Sequence, residues 1–264
     1  MSAVAPAAVL QTVSVSVQNS GGSGGSGAST TDMVYAQYNA TDGWGWAGGA
    51  GGVQNTGSIT NTGGSAPAAN ETLKFVLGST VDTLNATYGV GNWEVSNPRL
   101  SFASSYSVQN NSRFGVGSGT FDIYWVANDA WAQSRGTLED RQSNPVYASN
   151  AAGLLGWSGG QAVVGTQTFT VPSGGTGYVS LSYSLSPVSS LTSDILSASA
   201  GGANSAVSLY LMATSANLGM IIFTGGQSQA LPTLSFDVVS VPEPATLAAI
   251  GVVASFLKRR RSVK

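Results

Sequence analysis

Four residues in the middle of the chain carry the chemistry most suited to a ligand. Trp125, Asn128, Asp129 and Trp131 fall within seven positions of one another. Flat aromatic faces beside an amide and a carboxylate are what a sugar site needs, the rings giving stacking area and the polar groups hydrogen bonds. The same residues also read as packing, with Trp125 in the core and Trp131 capping the edge of the fold. A second stretch, Glu139-Asp140 between Arg135 and Arg141, is dense in charge. Two carboxylates about 5–10 Å apart across a cleft can hydrolyse a glycosidic bond. Adjacent residues of a strand point to opposite faces, however, so this pair reads as a solvated loop with weak ion pairs. Asp42, Asp122, Asp129, Asp194 and Asn128 supply oxygen ligands of the kind calcium takes, without the regular spacing of a calcium loop.

Other chemistries are excluded by what is missing. The 264 residues include no Cys and no His. Thiol catalysis, imidazole acid–base work, Ser-His-Asp triads and the common zinc sites go with them. No metal and no cofactor is expected, and no catalytic residue is assigned.

These groups must be held by strands. Apolar and β-branched runs recur at LKFVL (73–77), RLSFASSY (99–106), TFDIYWVA (120–127), TQTFTV (166–171), YVSLSYSL (178–185), AVSLYLMA (206–213), MIIF (220–223) and LSFDVV (234–239). In YVSLSYSL, Val179, Leu181, Tyr183 and Leu185 alternate with three serines, which predicts one buried and one wet face. Val13, Val15 and Val17 alternate with serines in the same way. Gly-rich turns separate the runs, and only 189–196 and 149–157 read as short helices. The expected fold is an all-β antiparallel sandwich of jelly-roll type over residues 10–240, with Gly/Ser-rich loops near 20–27 and 43–65. Within the second loop, Gly43-Trp44-Gly45-Trp46 is either an exposed aromatic contact or a loop folding its tryptophans inward.

Charge divides the chain unevenly. Only 8% of residues are charged, against about 25% in an average soluble domain. A surface solvated by hydroxyls and amides suits a protein outside the cytoplasm and excludes a nucleic-acid partner. Residues 1–240 carry five basic and eleven acidic groups, a net of −6, whereas five more basic residues crowd into the last seven positions. The Ala-rich residues 1–9 resemble the end of a secretory signal and read as its remnant or as an ordinary terminus.

The tail has three parts in order. Pro242 and Pro244 hold Glu243 in an extended segment that no helix or strand can continue. Residues 245–257 are thirteen positions without a charge and without a polar helical face. At 1.5 Å each they span about 20 Å, short of a hydrocarbon core of about 30 Å. A helix here is a marginal membrane anchor, and the basic tail 258–264 would stop transfer and stay cytoplasmic.

Val241-Pro242-Glu243-Pro244, the apolar run with Gly251, and Lys258-Arg259-Arg260-Arg261 together resemble the PEP-CTERM sorting signal of Gram-negative bacteria. The resemblance implies export, transient tethering in the inner membrane, and processing by an exosortase near the Pro-Glu-Pro. It implies delivery to the envelope or the extracellular polysaccharide matrix. The run is short for that family. The middle of the chain (119–147), with the expected strand start Asn97-Pro98-Arg99-Leu100, resembles the DNRLRE-type β-sandwich modules of bacterial surface proteins. That likeness implies a non-enzymatic module. The expected function is therefore an exported, non-enzymatic surface or matrix protein with a structural or adhesive role. A polysaccharide-binding module and a glycoside hydrolase or lyase are the alternatives.

Overall fold

In the computed structural model, residues 8–17, 33–39, 43–46, 56–60, 69–107, 117–127, 129, 147–148, 160–175, 177–215, 218–223 and 231–241 are described. They form thirteen strands and two helices: β1 (Val9–Ser16), β2 (Met33–Asn39), β3 (Gly43–Trp46), β4 (Thr56–Thr60), β5 (Ala69–Val76), α1 (Gly78–Tyr88), β6 (Trp93–Ser105), β7 (Gly119–Val126), β8 (Tyr147–Ala148), β9 (Gln161–Phe169), β10 (Tyr178–Ser184), α2 (Ser189–Ser197), β11 (Ala206–Ala213), β12 (Gly219–Phe223) and β13 (Thr233–Ser240). Every strand pairing is antiparallel.

The strands make two sheets. One is ordered β1-β13-β6-β10; the other runs β8-β3-β2-β5-β11-β7-β9, with β4 joining β5 and β12. From β5 onward the chain moves repeatedly between them, with α1 leading from the larger sheet to the smaller and α2 leading back. The fold is all-β and sandwich-like. One apolar core joins the sheets, with Val13, Leu100, Phe102 and Phe236 from the smaller meeting Phe75, Phe121, Ile123 and Leu209 from the larger. Across that interface Phe121 packs edge-on to Tyr183 with ring centroids 5.2 Å apart, a geometry favoured by the ring quadrupoles.

Local sequence explains much of this. All eight apolar runs named above fall on strands, five of them running one or two residues past the strand's end. In β10 Tyr183 is buried while Ser180, Ser182 and Ser184 are exposed, and Leu185 just beyond is buried. In β1 and the residue after it, Val13 and Val17 are buried and Ser14 and Ser16 exposed. The run at 189–196 is helical as α2, with Leu191 and Ile195 buried four residues apart on one face. The stretch 149–157 lies outside the described residues, as does the Gly/Ser run at 20–27.

The structure differs from expectation at α1, at β2, β3, β4 and β8, and at the start of β6. Helix α1 was not legible, because GSTVDTLNATY is rich in β-branched and small polar residues that disfavour an isolated helix. Tertiary contacts hold it instead: Val81 and Leu84 are buried, and the Trp93 indole N–H donates to Asn85 Oδ1 at 3.0 Å. Strands β3 and β4 occupy part of the stretch 43–65 expected as loop, so Trp44 and Trp46 sit on a strand paired with β2. Finally, Asn97-Pro98 is not a strand start. Strand β6 begins at Trp93, and Asn97-Pro98 lie inside it at a register shift, the two of them standing opposite the single residue of β13 between Ser235 and Asp237. Pro98 has no N–H to donate, and a break in the ladder is where a strand tolerates that loss. Its carbonyl is used, accepting from Leu185 N at 2.8 Å.

Among the described residues no helix is long and apolar enough to cross a membrane. The apolar run 245–257 and basic tail 258–264 lie outside them.

Candidate functional site

Strand β7 delivers Trp125, its next-to-last residue, to the side of α2. The alternation Phe121, Ile123, Trp125 points all three toward the core face, and the Trp125 ring, half-buried, packs against the core. Its indole N–H donates to Asp194 Oδ2 at 2.6 Å. Asp194 sits beside the buried stripe of α2, one residue before Ile195. Its other oxygen accepts from the Asn204 amide at 2.8 Å. The same amide donates to Ser197 Oγ at 2.8 Å, and the Asn204 backbone carbonyl accepts from Ser199 N at 2.9 Å, closing the end of α2. Burial holds the Asp194 carboxyl above the usual range, with the Trp125 and Asn204 hydrogen bonds opposing that rise.

Asp129 lies three residues beyond β7 and takes a different partner. Its Oδ1 accepts from the buried Ser208 hydroxyl of β11, on the outer face of the larger sheet. Its backbone carbonyl lies 3.4 Å from the Lys74 ammonium of β5. Burial pushes the Asp129 carboxyl up to about 7; the charge of Asp194 adds to the rise, while the Ser208 hydrogen bond and Lys74 oppose it. The two contacts carry the chain leaving β7 across β11 toward β5.

Of the four expected ligand residues, the structure therefore describes two and separates their roles. Trp125 faces inward with its donor committed to Asp194, and Asp129 is fastened to the outer face of the sheet. Asn128 and Trp131 lie outside the described residues, as do Asp42, Arg135, Glu139, Asp140 and Arg141. Asp122 accepts from Thr166 Oγ1 at 2.7 Å and from the Tyr124 hydroxyl at 3.3 Å. Among the described residues no three carboxylates converge as metal ligands would. Asn204, Ser208 and Lys74 were not anticipated. The signal for Asp194 was helical spacing, since three residues after the buried Leu191 places it near the same face.

Chemically, the Asp129 group can exchange a proton near neutrality. Hydrolysis by a carboxylate pair would need a second acid free to meet substrate, and both Asp194 oxygens accept hydrogen bonds from this chain. The cluster is built as a set of internal ties.

Of the sorting residues, Val241 is described. Half-buried, it donates its N–H to Asn92 O at 3.0 Å, one residue past the end of β13. Pro242, Glu243, Pro244, Lys258, Arg259, Arg260 and Arg261 lie outside the described residues.

Fold and site together define an all-β, sandwich-like protein whose two best-placed acidic groups bind its own chain. No family model matches it, and no curated protein does. Among solved structures, a chain of the naturally occurring empty particles (top component) of cowpea mosaic virus shares 10% identity over 81% of this chain and 82% of that one. Its TM-score is 0.22.

Proposed function

We propose that this chain is an exported, non-enzymatic surface or matrix protein, sorted through its C-terminal tail by an exosortase. Its body, a jelly-roll-like sandwich, serves a structural or adhesive role in the envelope or extracellular matrix. The observation that carries the reading is the order of the tail: Pro242-Glu243-Pro244, an uncharged run over 245–257, then Lys258-Arg259-Arg260-Arg261. An extended segment for recognition, a run that favours the bilayer, and a basic stop are the parts such a signal needs.

One feature of the body supports it. The internal commitments of Trp125 and Asp194, and the fastening of Asp129 to Ser208, favour a scaffold over a glycan pocket or a hydrolase.

The test is substitution of the signal in cells that possess an exosortase. Replacing Pro242 and Pro244 with Ala, or Lys258–Arg261 with Gln, is expected to abolish release and leave the protein with the membrane or degraded. Unchanged release by both variants would refute the reading.

A further inference from the structure

We infer that one end of the sandwich, built from the start of β1, the α1–β6 turn and the end of β13, is a lipid-facing surface that lies on the bilayer while the tail is anchored. This inference rests on the tail's being a membrane signal.

Three segments meet where the tail departs. Ser240 N donates to Ala8 O at 3.1 Å, and Val241 N donates to Asn92 O at 3.0 Å. The register sets Val9 against Val239, Val239 against Glu94, and Ser240 against Trp93. At about 4.8 Å between strands, the start of β1 lies two strand spacings, or roughly 10 Å, from β6.

Here the chain exposes apolar side chains. Val90 is 82% exposed, Val9 58% and Leu10 40%, three of the six large exposed hydrophobics among the described residues. Isolated exposed apolar residues need no explanation. These three come from separate segments, and local backbone devices present two of them. Leu10 is the extra residue where the β1–β13 register shifts between Val9 and Gln11, and such a bulge re-aims a side chain. Val90 stands between Gly89 and Gly91, both at positive φ (88° and 78°), in a turn closed by Asn92 N to Gly89 O at 3.2 Å.

Reach fixes the occupant. Four chain steps separate Val241 from Ala245, the first residue of the uncharged run. At no more than 3.6 Å per residue they span about 14 Å. With the run in the hydrocarbon, this end of the sandwich stays within that distance of it, close enough to rest on the headgroup layer, whose depth on each side is about 5–8 Å. Val90, Val9 and Leu10 are then the side chains that meet it. Glu94, exposed beside Val239, is the carboxylate nearest this surface, and its repulsion from anionic lipid is screened over about 8–10 Å.

The absence of cysteine makes the test direct. Val90→Cys and Ser173→Cys, each in the full chain, take one NBD fluorophore. Ser173 is exposed in the β9–β10 loop, where Ser107 Oγ donates to Gly174 O beyond the far end of the thirteen-residue β6, roughly 40 Å away along the strand. The labelled chains are reconstituted with vesicles of phosphatidylethanolamine and phosphatidylglycerol carrying a headgroup nitroxide. Expected are flotation of both chains, a blue shift and loss of most emission at position 90, and neither change at 173. Flotation with position 90 as unquenched as 173 would overturn the lipid-facing surface and leave the tail reading intact. Failure of both chains to float would overturn the tail reading, and the inference with it.

Discussion

Asp194 of α2 accepts the indole N–H of Trp125 at 2.6 Å, tying the end of β7 to the helix that leads from the smaller sheet to the larger. A tryptophan that reads in sequence as a sugar platform is thereby held inward, against the core. Trp125→Phe keeps an aromatic ring against the core and removes the donor. The half-buried carboxylate loses one of its two side-chain donors, at a cost of about 1–3 kcal/mol. With less support for its charge, the Asp194 carboxyl rises further, so the loss is greater at pH 8 than at pH 5. Urea unfolding at both values checks the sign.

Asp129 makes folding stability fall with rising pH. The folded chain keeps a proton on this group up to about pH 7, whereas an unfolded Asp releases it near pH 4. Between those values the folded state binds more protons, so each step upward in pH favours unfolding. The full effect is on the order of 2–4 kcal/mol. Asp194, also raised, acts in the same direction. Asp129→Asn keeps an acceptor for Ser208 and is expected to flatten the slope between pH 4 and 7. A wild-type slope that survives in Asp129→Asn would assign the effect elsewhere.

Asp237 works in the opposite sense. Hydrogen bonds from Asn97 and Thr12, and Arg99 at 3.6 Å, hold its carboxyl below the usual range. Its contribution is present above about pH 4 and is lost as pH falls through the lowered folded value. The same site fixes the irregularity in β6, where Asn97 adopts a φ of 46°. Asn97→Gly accepts that backbone and loses only the bond to Asp237, about 1 kcal/mol. Asn97→Val adds left-handed strain of about 1–2 kcal/mol. Thermal unfolding should rank wild type above Gly and Gly above Val.

Gly78 begins α1 against the turn after α2. A Cβ there would stand 2.6 Å from Ala200 N and from the Ser199 carbonyl carbon, all backbone atoms. Asp82 fastens the same turn, accepting from Ser199 Oγ at 3.0 Å and Ala200 N at 2.9 Å. Gly→Ala in an exposed helix normally stabilises by up to about 1 kcal/mol. Here the contact cannot relax, and Gly78→Ala is expected to destabilise by about 1–3 kcal/mol, read as a lowered Tm.

The strands built on apolar runs were legible, because such runs bounded by glycine turns leave few other structures, and the serine alternation of β10 even named its wet face; β2, β3, β4 and β8, which carry no such run, were not. Helix α1 was hidden by its composition: two buried positions, Val81 and Leu84, are too few to mark a helical face. Asn97-Pro98 misled for a physical reason, since proline ordinarily marks a strand boundary and here sits at a break inside one. The partners of Trp125 and Asp129 were illegible because both contacts span long separations, 69 residues to Asp194 and 79 to Ser208. Sheet order, which no local pattern states, brings them together.

The central claim, a tail processed as a sorting signal, is tested most directly by intact mass. The protein is recovered from cells that possess an exosortase and from a matched strain without it. A species ending near Pro242–Pro244 only where the enzyme is present is the predicted result. A chain running to Lys264 in both strains would contradict it.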